Sequence, residues 1–307
     1  MPLRPVDPPP AMSTPYSPPA AIAVTGALGF VAGRLLPRLK ESGAPLFAVV
    51  RPGRDASRLE AMGIGIRRAD LEEPEAHAAA FEGIGAVVHL SGMAQATRLV
   101  PVLQAAGVKR GVFISSAGVF TKLKSHSAEK KRTGEAVLGA SAIDHTILRP
   151  SMIYGTPADR NMVRLLVWIR RFPVVVVPGA GLTLQQPVHV DDLVSAIVAS
   201  LAQTHSGGRD YNLGGPEALA LRDVIRTAGV ALGRSTLTVP TPLKATYRVV
   251  TLLQRLRLPS PVRPEQVLRL EESKAVDIGP ARRDLGFAPR SFAEGIRAEA
   301  ELLAAMK

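Results

Sequence analysis

Cysteine is absent from this 307-residue chain, so neither disulfides nor thiolate metal sites are available, and cysteine usage does not report its redox compartment. Its six histidines are scattered and show no HExxH or comparable spacing, which gives no basis for a metal centre. No run reaches the roughly 18 apolar residues of a membrane span; Val174 to Val177 reads as a short buried strand at most. Basic charge does not gather at one end. The net charge of +12 divides into 18 basic against 12 acidic residues in 1–150 and 20 against 14 in 151–307, an even spread that argues against a nucleic-acid-binding end domain. Tyrosine is scarce, with only Tyr16, Tyr154, Tyr211 and Tyr247.

What the chain does have is enough apolar material for a sizeable core, at 46% hydrophobic and 21% charged residues, in a length that suits one large or two small domains. The first 20 residues contain eight prolines and lack the apolar core of a signal peptide. They read as a disordered tail, with Met12 an alternative start, and the chain as cytoplasmic. From residue 21, strand-like runs near 21–26, 45–51, 64–69, 86–91, 110–116 and 144–149 alternate with helical patterns near 31–42, 56–62, 73–82, 96–107 and 127–140. Such alternation predicts an α/β protein with a doubly wound parallel sheet. Past Pro150 the pattern loosens into helices near 160–171, 191–203, 221–233, 243–256 and 291–305, and strands near 174–177 and 209–213. We expect a tail (1–20), a nucleotide-binding domain (21–155) and a small C-terminal α/β substrate lobe (156–307). The lobe would close over the strand C-termini and share strands with the core.

The first strand runs directly into Thr25-Gly26-Ala27-Leu28-Gly29-Phe30-Val31-Ala32-Gly33 and a helical pattern. This is a Rossmann-type strand–turn–helix, in which a dinucleotide pyrophosphate rests on a helix N-terminus. Gly26 suits the tight turn, Gly29 admits the phosphates, and Ala32 with Gly33 would let the helix lie close to the sheet. The second strand ends Val50-Arg51-Pro52-Gly53-Arg54. It has no carboxylate for a ribose 2′-hydroxyl, and Arg51 and Arg54 are suited to a 2′-phosphate, favouring NADP with NAD as the alternative.

The motifs in order resemble those of the extended and atypical short-chain dehydrogenases/reductases, the NAD-dependent epimerase/dehydratase group. Thr25–Phe30 is similar to its TGxxGF fingerprint, and Leu148–Gly155 to its LRPxxIYG. Pro187–Leu193 is similar to its VHVDD element, while Tyr211–Gly215 and Asp284–Pro289 match C-terminal landmarks. The resemblance implies cofactor contacts from Thr25, Gly26, Leu28, Gly29, Phe30, Asp70, Leu71, Leu90 and Ser91. Asp70 is also placed to cap a helix starting near Glu72. The family's chemistry uses a tyrosine four residues before a lysine, with a serine at the end of the fifth strand. The serine is Ser115 or Ser116 and the lysine Lys131 or Lys130, but four residues earlier stand Ser127 and His126. The tyrosine is absent.

Three readings follow. His126 or Tyr154 carries the proton; the protein binds NADP without turnover, as in NmrA-like regulators or the accessory subunit of respiratory complex I; or hydride positioning with water suffices. The enzymatic reading is a reductase or epimerase of a nucleotide-sugar-like or other anionic substrate, with Tyr154, Arg160, Arg164 and His189 as substrate contacts. Arg149 has a bracing reading and a nicotinamide-side one, and Asp191 or Asp192 is the expected cap of its helix. Four arginines and no acid lie from Arg160 to Val190, and five basic residues and no acid from Lys244 to Arg263. Such stretches attract anionic substrates or a membrane surface, so a peripheral membrane contact stays open.

Overall fold

The computed structural model describes residues 21–159, 161–203, 208–256 and 272–306. The Pro-rich tail and Arg160 lie outside them. Six strands, β1 (Ile22–Thr25), β2 (Leu46–Val50), β3 (Gly65–Arg68), β4 (Ala86–His89), β5 (Arg110–Ile114) and β6 (Asp144–Pro150), alternate with helices α1 (Phe30–Lys40), α2 (Ser57–Ala61), α3 (Ala96–Ala105) and α4 (His126–Gly139). The C-terminal half contributes β7 (Ile153–Tyr154), α5 (Met162–Arg171), β8 (Val174–Pro178), β9 (Leu184–Gln185), β10 (Val188–His189), α6 (Val190–Ala202) and β11 (Arg209–Leu213). It continues with β12 (Leu219–Ala220), α7 (Leu221–Ala231), β13 (Leu237–Thr241), α8 (Leu243–Arg255), α9 (Gly279–Leu285) and α10 (Phe292–Ala305).

Seven strands form one parallel sheet in the order β11-β6-β5-β4-β1-β2-β3. Successive side chains on a strand face opposite sides, and here both sides are buried. Ile22, Val24, Val88, Val112 and Leu148 join a core with Leu35, Leu36 and Leu39 of α1 and Leu193 and Ile197 of α6. Ala23, Val87, Phe113 and Ile147 join a second core with Leu99 and Leu103 of α3 and Leu138 of α4. The near-continuous apolar character of these strands is what a sheet covered on both faces requires. Residues far along the chain belong to this core: β11 completes the sheet, and Ala281, Leu285 and Phe287 pack into the first core. A third core joins α5, α7 and α10 through Met162, Leu166, Ile169, Val224, Ile225 and Ile296.

Several expectations are corrected. The helix anticipated over 73–82 is a 3-10 stretch, Pro74–Phe81, broken by non-helical dihedrals at His77. It starts without a side-chain cap, leaving the first turn unsupported. Strand β8 is not buried throughout: Val174 and Val176 are exposed while Val177 is covered, because β8 pairs with the unanticipated β13 in a two-stranded ribbon that seats one face only. Gly33 is exposed, with open space where a Cβ would stand, so Ala32 alone makes the close helix–sheet contact.

Helix α4 carries Lys131, and its seating depends on Gly134, where a Cβ would collide with the Met93 carbonyl. The obstacle is backbone, so it cannot rotate away. Gly134→Ala is expected to destabilise the fold by ~1–3 kcal/mol, despite alanine's better helix propensity. Gly139→Ala, where nothing lies within 4 Å, should be neutral or slightly stabilising. Urea denaturation midpoints would check the pair.

Candidate functional site

The cofactor side begins at the C-terminal end of β1. Gly26 turns the chain at φ +68, a region costly for other residues. A Cβ there would stand 3.1 Å from the Leu90 carbonyl carbon and from Ser91 N and Oγ. The turn therefore lies against the end of β4, at the point where strand order reverses and such sheets open a ligand crevice. The turn closes with Gly29 N–H donating to the Gly26 carbonyl at 2.9 Å. Gly29 then caps α1 with no side-chain bond, and the first turn of α1 carries no acidic residue. Uncapped N–H groups and an acid-free helix start suit a pyrophosphate, so the residues present fit a dinucleotide.

His89 holds this corner together. It is fully buried, with Nε2 2.9 Å from the Gly92 carbonyl and Nδ1 2.8 Å from Thr25 Oγ1. A carbonyl only accepts, so Nε2 carries the hydrogen, Nδ1 accepts and Thr25 donates. Burial pushes the His89 pKa down to about 4, partly opposed by the Gly92 bond.

Arg51 and Arg54 are exposed in the turn after β2, where Arg54 N–H donates to the Arg51 carbonyl at 3.2 Å. Arg68, from the end of β3, donates to the Arg54 carbonyl at 2.6 Å and adds a third guanidinium to the corner. The nearby Asp55 is engaged by Ser57 N–H at 2.9 Å. Asp70 Oδ1 accepts from Glu72 N–H at 3.0 Å in a local turn and caps no helix, because the 3-10 stretch starts only at Pro74 and has no side-chain cap; Leu71 beside it is buried.

A second part of the candidate site lies beyond β5 and β6. A cavity of about 670 Å³ is bordered by Ser116, Phe120, Lys122, Ser151, Met152 and Lys274, among others. Ser116 Oγ accepts from Gly118 N–H at 3.0 Å and from Lys131 Nζ at 3.3 Å. A hydroxyl oxygen has two acceptor positions and one proton. With both acceptor positions taken, the proton of Ser116 remains to be donated. Ser115 is buried, and its Oγ finds no partner among the described residues. Glu272 closes one wall by accepting from Thr121 Oγ1 at 2.5 Å and from Lys122 N–H at 2.7 Å. It was not recognised in the sequence. It lies 151 positions from Thr121, and no local pattern marks it.

Other expected site residues fall elsewhere. Tyr154 is fully buried in the third core against Phe292, where burial pushes its phenol pKa up; it packs the lobe and does not reach the cavity. His189 is buried, and its Nδ1 accepts from Asp191 N–H at 3.2 Å. It, not either aspartate, caps α6. Burial and, next, Arg290 lower its pKa. Asp191 pairs instead with Arg34 (2.7 and 2.8 Å) and Asp192 with Arg290 (3.0 Å). Burial alone would raise the Asp191 pKa, but Arg34 outweighs it and holds it low. His126 is exposed at the start of α4, 4.0 Å from Glu129. Arg164 is exposed on α5, away from the cavity lining. Arg149 binds Glu135 at 2.8 Å and also Asp210, bracing α4 and β11 through carboxylates.

The comparisons accord with this geometry. Residues 26–166 match the family model described as NAD(P)H-binding. The chain is 26% identical over 324 residues to 2-alkyl-3-oxoalkanoate reductase of Stenotrophomonas maltophilia, covering 90% of this chain and 97% of that one. It is 25% identical over 222 residues to a mitochondrial protein of Arabidopsis thaliana, NADH dehydrogenase [ubiquinone] 1 alpha subcomplex subunit 9, covering 66% and 55%. Against that subunit and an uncharacterized Sinorhizobium fredii protein (28% identical over 203 residues, 61% of this chain and 50% of that one), the chain spans about half the relative's length. Among solved structures, gox2253 superposes with a TM-score of 0.75 at 21% identity, covering 94% and 98% of the two chains. MoeE5 in complex with UDP-glucuronic acid and NAD gives 0.71 at 21% identity, covering 94% and 100%. UDP-glucose 4-epimerase of Thermotoga maritima gives 0.72 at 18% identity, covering 93% and 99%.

The depressed pKa of His89 makes the corner sensitive to acid. Between pH 4 and 6.5 the unfolded chain binds a proton at this residue that the folded chain refuses. Stability should therefore be full above about pH 6.5 and fall as pH drops toward 4, by up to ~3 kcal/mol from this group. Denaturant titrations at pH 7 and pH 4.5 should show a steeper loss for the wild type than for His89→Gln.

Proposed function

We propose that the chain, whose residues 26–166 match a family model described as NAD(P)H-binding, is a short-chain dehydrogenase/reductase of the extended or atypical type and acts as an NADP(H)-linked reductase or epimerase of a small anionic substrate. The observation that carries this reading is the Ser116 hydroxyl, fixed by Lys131 and Gly118 and bordering the cavity past β5. The cofactor, when bound, supplies or accepts the hydride. Thr25 to Phe30 hold its pyrophosphate, and Arg51, Arg54 and Arg68 receive a 2′-phosphate. Ser116 passes its proton to the substrate oxygen as the carbonyl is reduced, Lys131 Nζ, 3.3 Å behind it, replaces that proton on Oγ, and water reprotonates Lys131. The place of the missing tyrosine, Ser127, is exposed on α4 and takes no part.

An anionic substrate is supported by Lys122 and Lys274, which border the cavity. Two of the names point the same way, since an oxoalkanoate and UDP-glucuronic acid are both anions. The absent tyrosine favours a second reading, an NADP-binding sensor or assembly protein without turnover.

Titration of NADPH and NADH tests the cofactor assignment. Arg51→Ala with Arg54→Ala should weaken NADPH by about tenfold to a hundredfold, the loss of one or two charge-assisted hydrogen bonds. NADH affinity should change little, and an equal effect on both would refute the 2′-phosphate role. For catalysis, NADPH consumption is followed with 2-substituted 3-oxo acids, and isomer exchange with UDP-hexoses and UDP-uronic acids. Ser116→Ala is expected to lower kcat/KM by ~100-fold or more with NADPH affinity unchanged. Tight NADPH binding with no turnover in either class would favour the sensor reading.

A further inference from the structure

We propose that the face built by α5, β8, β13 and α8 docks on the surface of a lipid bilayer containing anionic phospholipids. The inference is independent of the cofactor and substrate assignments. In the β8–β13 ribbon, Val174 pairs with Leu237 and Val176 with Val239. Directly paired residues point to one side of a sheet, and these four share the outer side, with Val176 56% and Leu237 62% exposed. At the head of the ribbon stand Trp168, 46% exposed, and Phe172, their rings 4.8 Å apart, with the indole N–H bound to the Val174 carbonyl at 2.9 Å.

Helix α8 follows β13 after one residue, Pro242, and is tied to the strand's end by the Thr241 and Thr246 hydroxyls, 2.9 Å apart. Val250 is its one buried residue. At 100° per residue, Val249, Leu252 and Leu256 form a stripe turned away from Val250, all exposed. Lys244, Arg248 and Arg255 form a second stripe beside it. Arg170 and Arg171 at the end of α5 extend the basic fringe. No acidic residue occurs between Asp159 and Asp191, or between Asp223 and Glu265.

An apolar strip bordered by cations on one flank, with an exposed Trp–Phe pair, has the composition of a surface that lies in the headgroup region. No helix among the described residues is long and apolar enough to cross a membrane, so the contact is peripheral. The described residues of α5, β8, β13 and α8 include no carboxylate, which argues for this occupant over a second copy of the chain, because two such faces would bring arginine against arginine. Anionic headgroups supply the complementary charge.

The chain contains one tryptophan, and it lies in the face, so its fluorescence reports occupancy directly. The full chain is mixed with vesicles of phosphatidylcholine alone or with phosphatidylglycerol added, then followed by flotation and by Trp168 emission. Binding to the phosphatidylglycerol vesicles is expected, with a blue shift, quenching by brominated acyl chains, and release by salt. Arg170→Glu with Arg171→Glu should weaken partitioning at least ~25-fold, about fivefold for each basic residue lost. Val249→Glu with Leu252→Glu should weaken it roughly tenfold or more. Far-ultraviolet circular dichroism and urea midpoints, unchanged in both variants, show that they fold. No binding at low salt, or equal and salt-insensitive binding to neutral vesicles, would overturn the proposal. So would a blue shift that appears without lipid as the protein is concentrated and its mass doubles, which would assign the face to a second copy.

Discussion

The buried hydrogen bond between Thr25 and His89 joins the ends of the two strands between which the sheet reverses its winding. The site depends on that junction. Because His89 also grips the Gly92 carbonyl, the segment leaving β4 is held where the Gly26 turn can lie against Leu90 and Ser91. Because the turn is held, α1 starts uncapped beside the same crevice. A polar pair this deeply buried is tolerable only when both partners are satisfied, and the single available tautomer satisfies both.

A second constraint acts through α4. Gly134 lets the helix approach the Met93 carbonyl, Leu138 anchors it in the core under α3, and Arg149 ties Glu135 to β6 and Asp210. These contacts bring Lys131 to Ser116. The C-terminal lobe is fastened separately. Arg34 of α1 binds Asp191, and Arg290, just before α10, binds Asp192, so one helix start, that of α6, links the nucleotide half to the lobe.

Features set by local pattern were legible in the sequence. The central strands announce themselves as short apolar runs because both their faces are buried, and the Gly26 turn is marked by a residue that its dihedrals require. The tyrosine's absence from α4 is likewise visible by counting. Features set by competition among neighbours were not. Three polar residues, His189, Asp191 and Asp192, stood at the start of α6; packing seated the imidazole as the cap and gave both carboxylates to arginines from other elements. Tyr154 looked available for chemistry because its motif adjoins the site, yet Gly295 of α10 opens the space that takes its ring into the core.

The sequence alone determined the parallel α/β architecture, the dinucleotide turn and the loss of the usual proton donor, because each depends on residues near one another in the chain. Tertiary structure alone decided the remaining site assignments. It joined Glu272 to Thr121 across 151 positions, directed the Ser116 proton by filling its acceptor positions, and turned the outer side of β8 and β13 to solvent. These outcomes depend on which groups compete for the same space or lone pair, and that is settled only when distant segments meet.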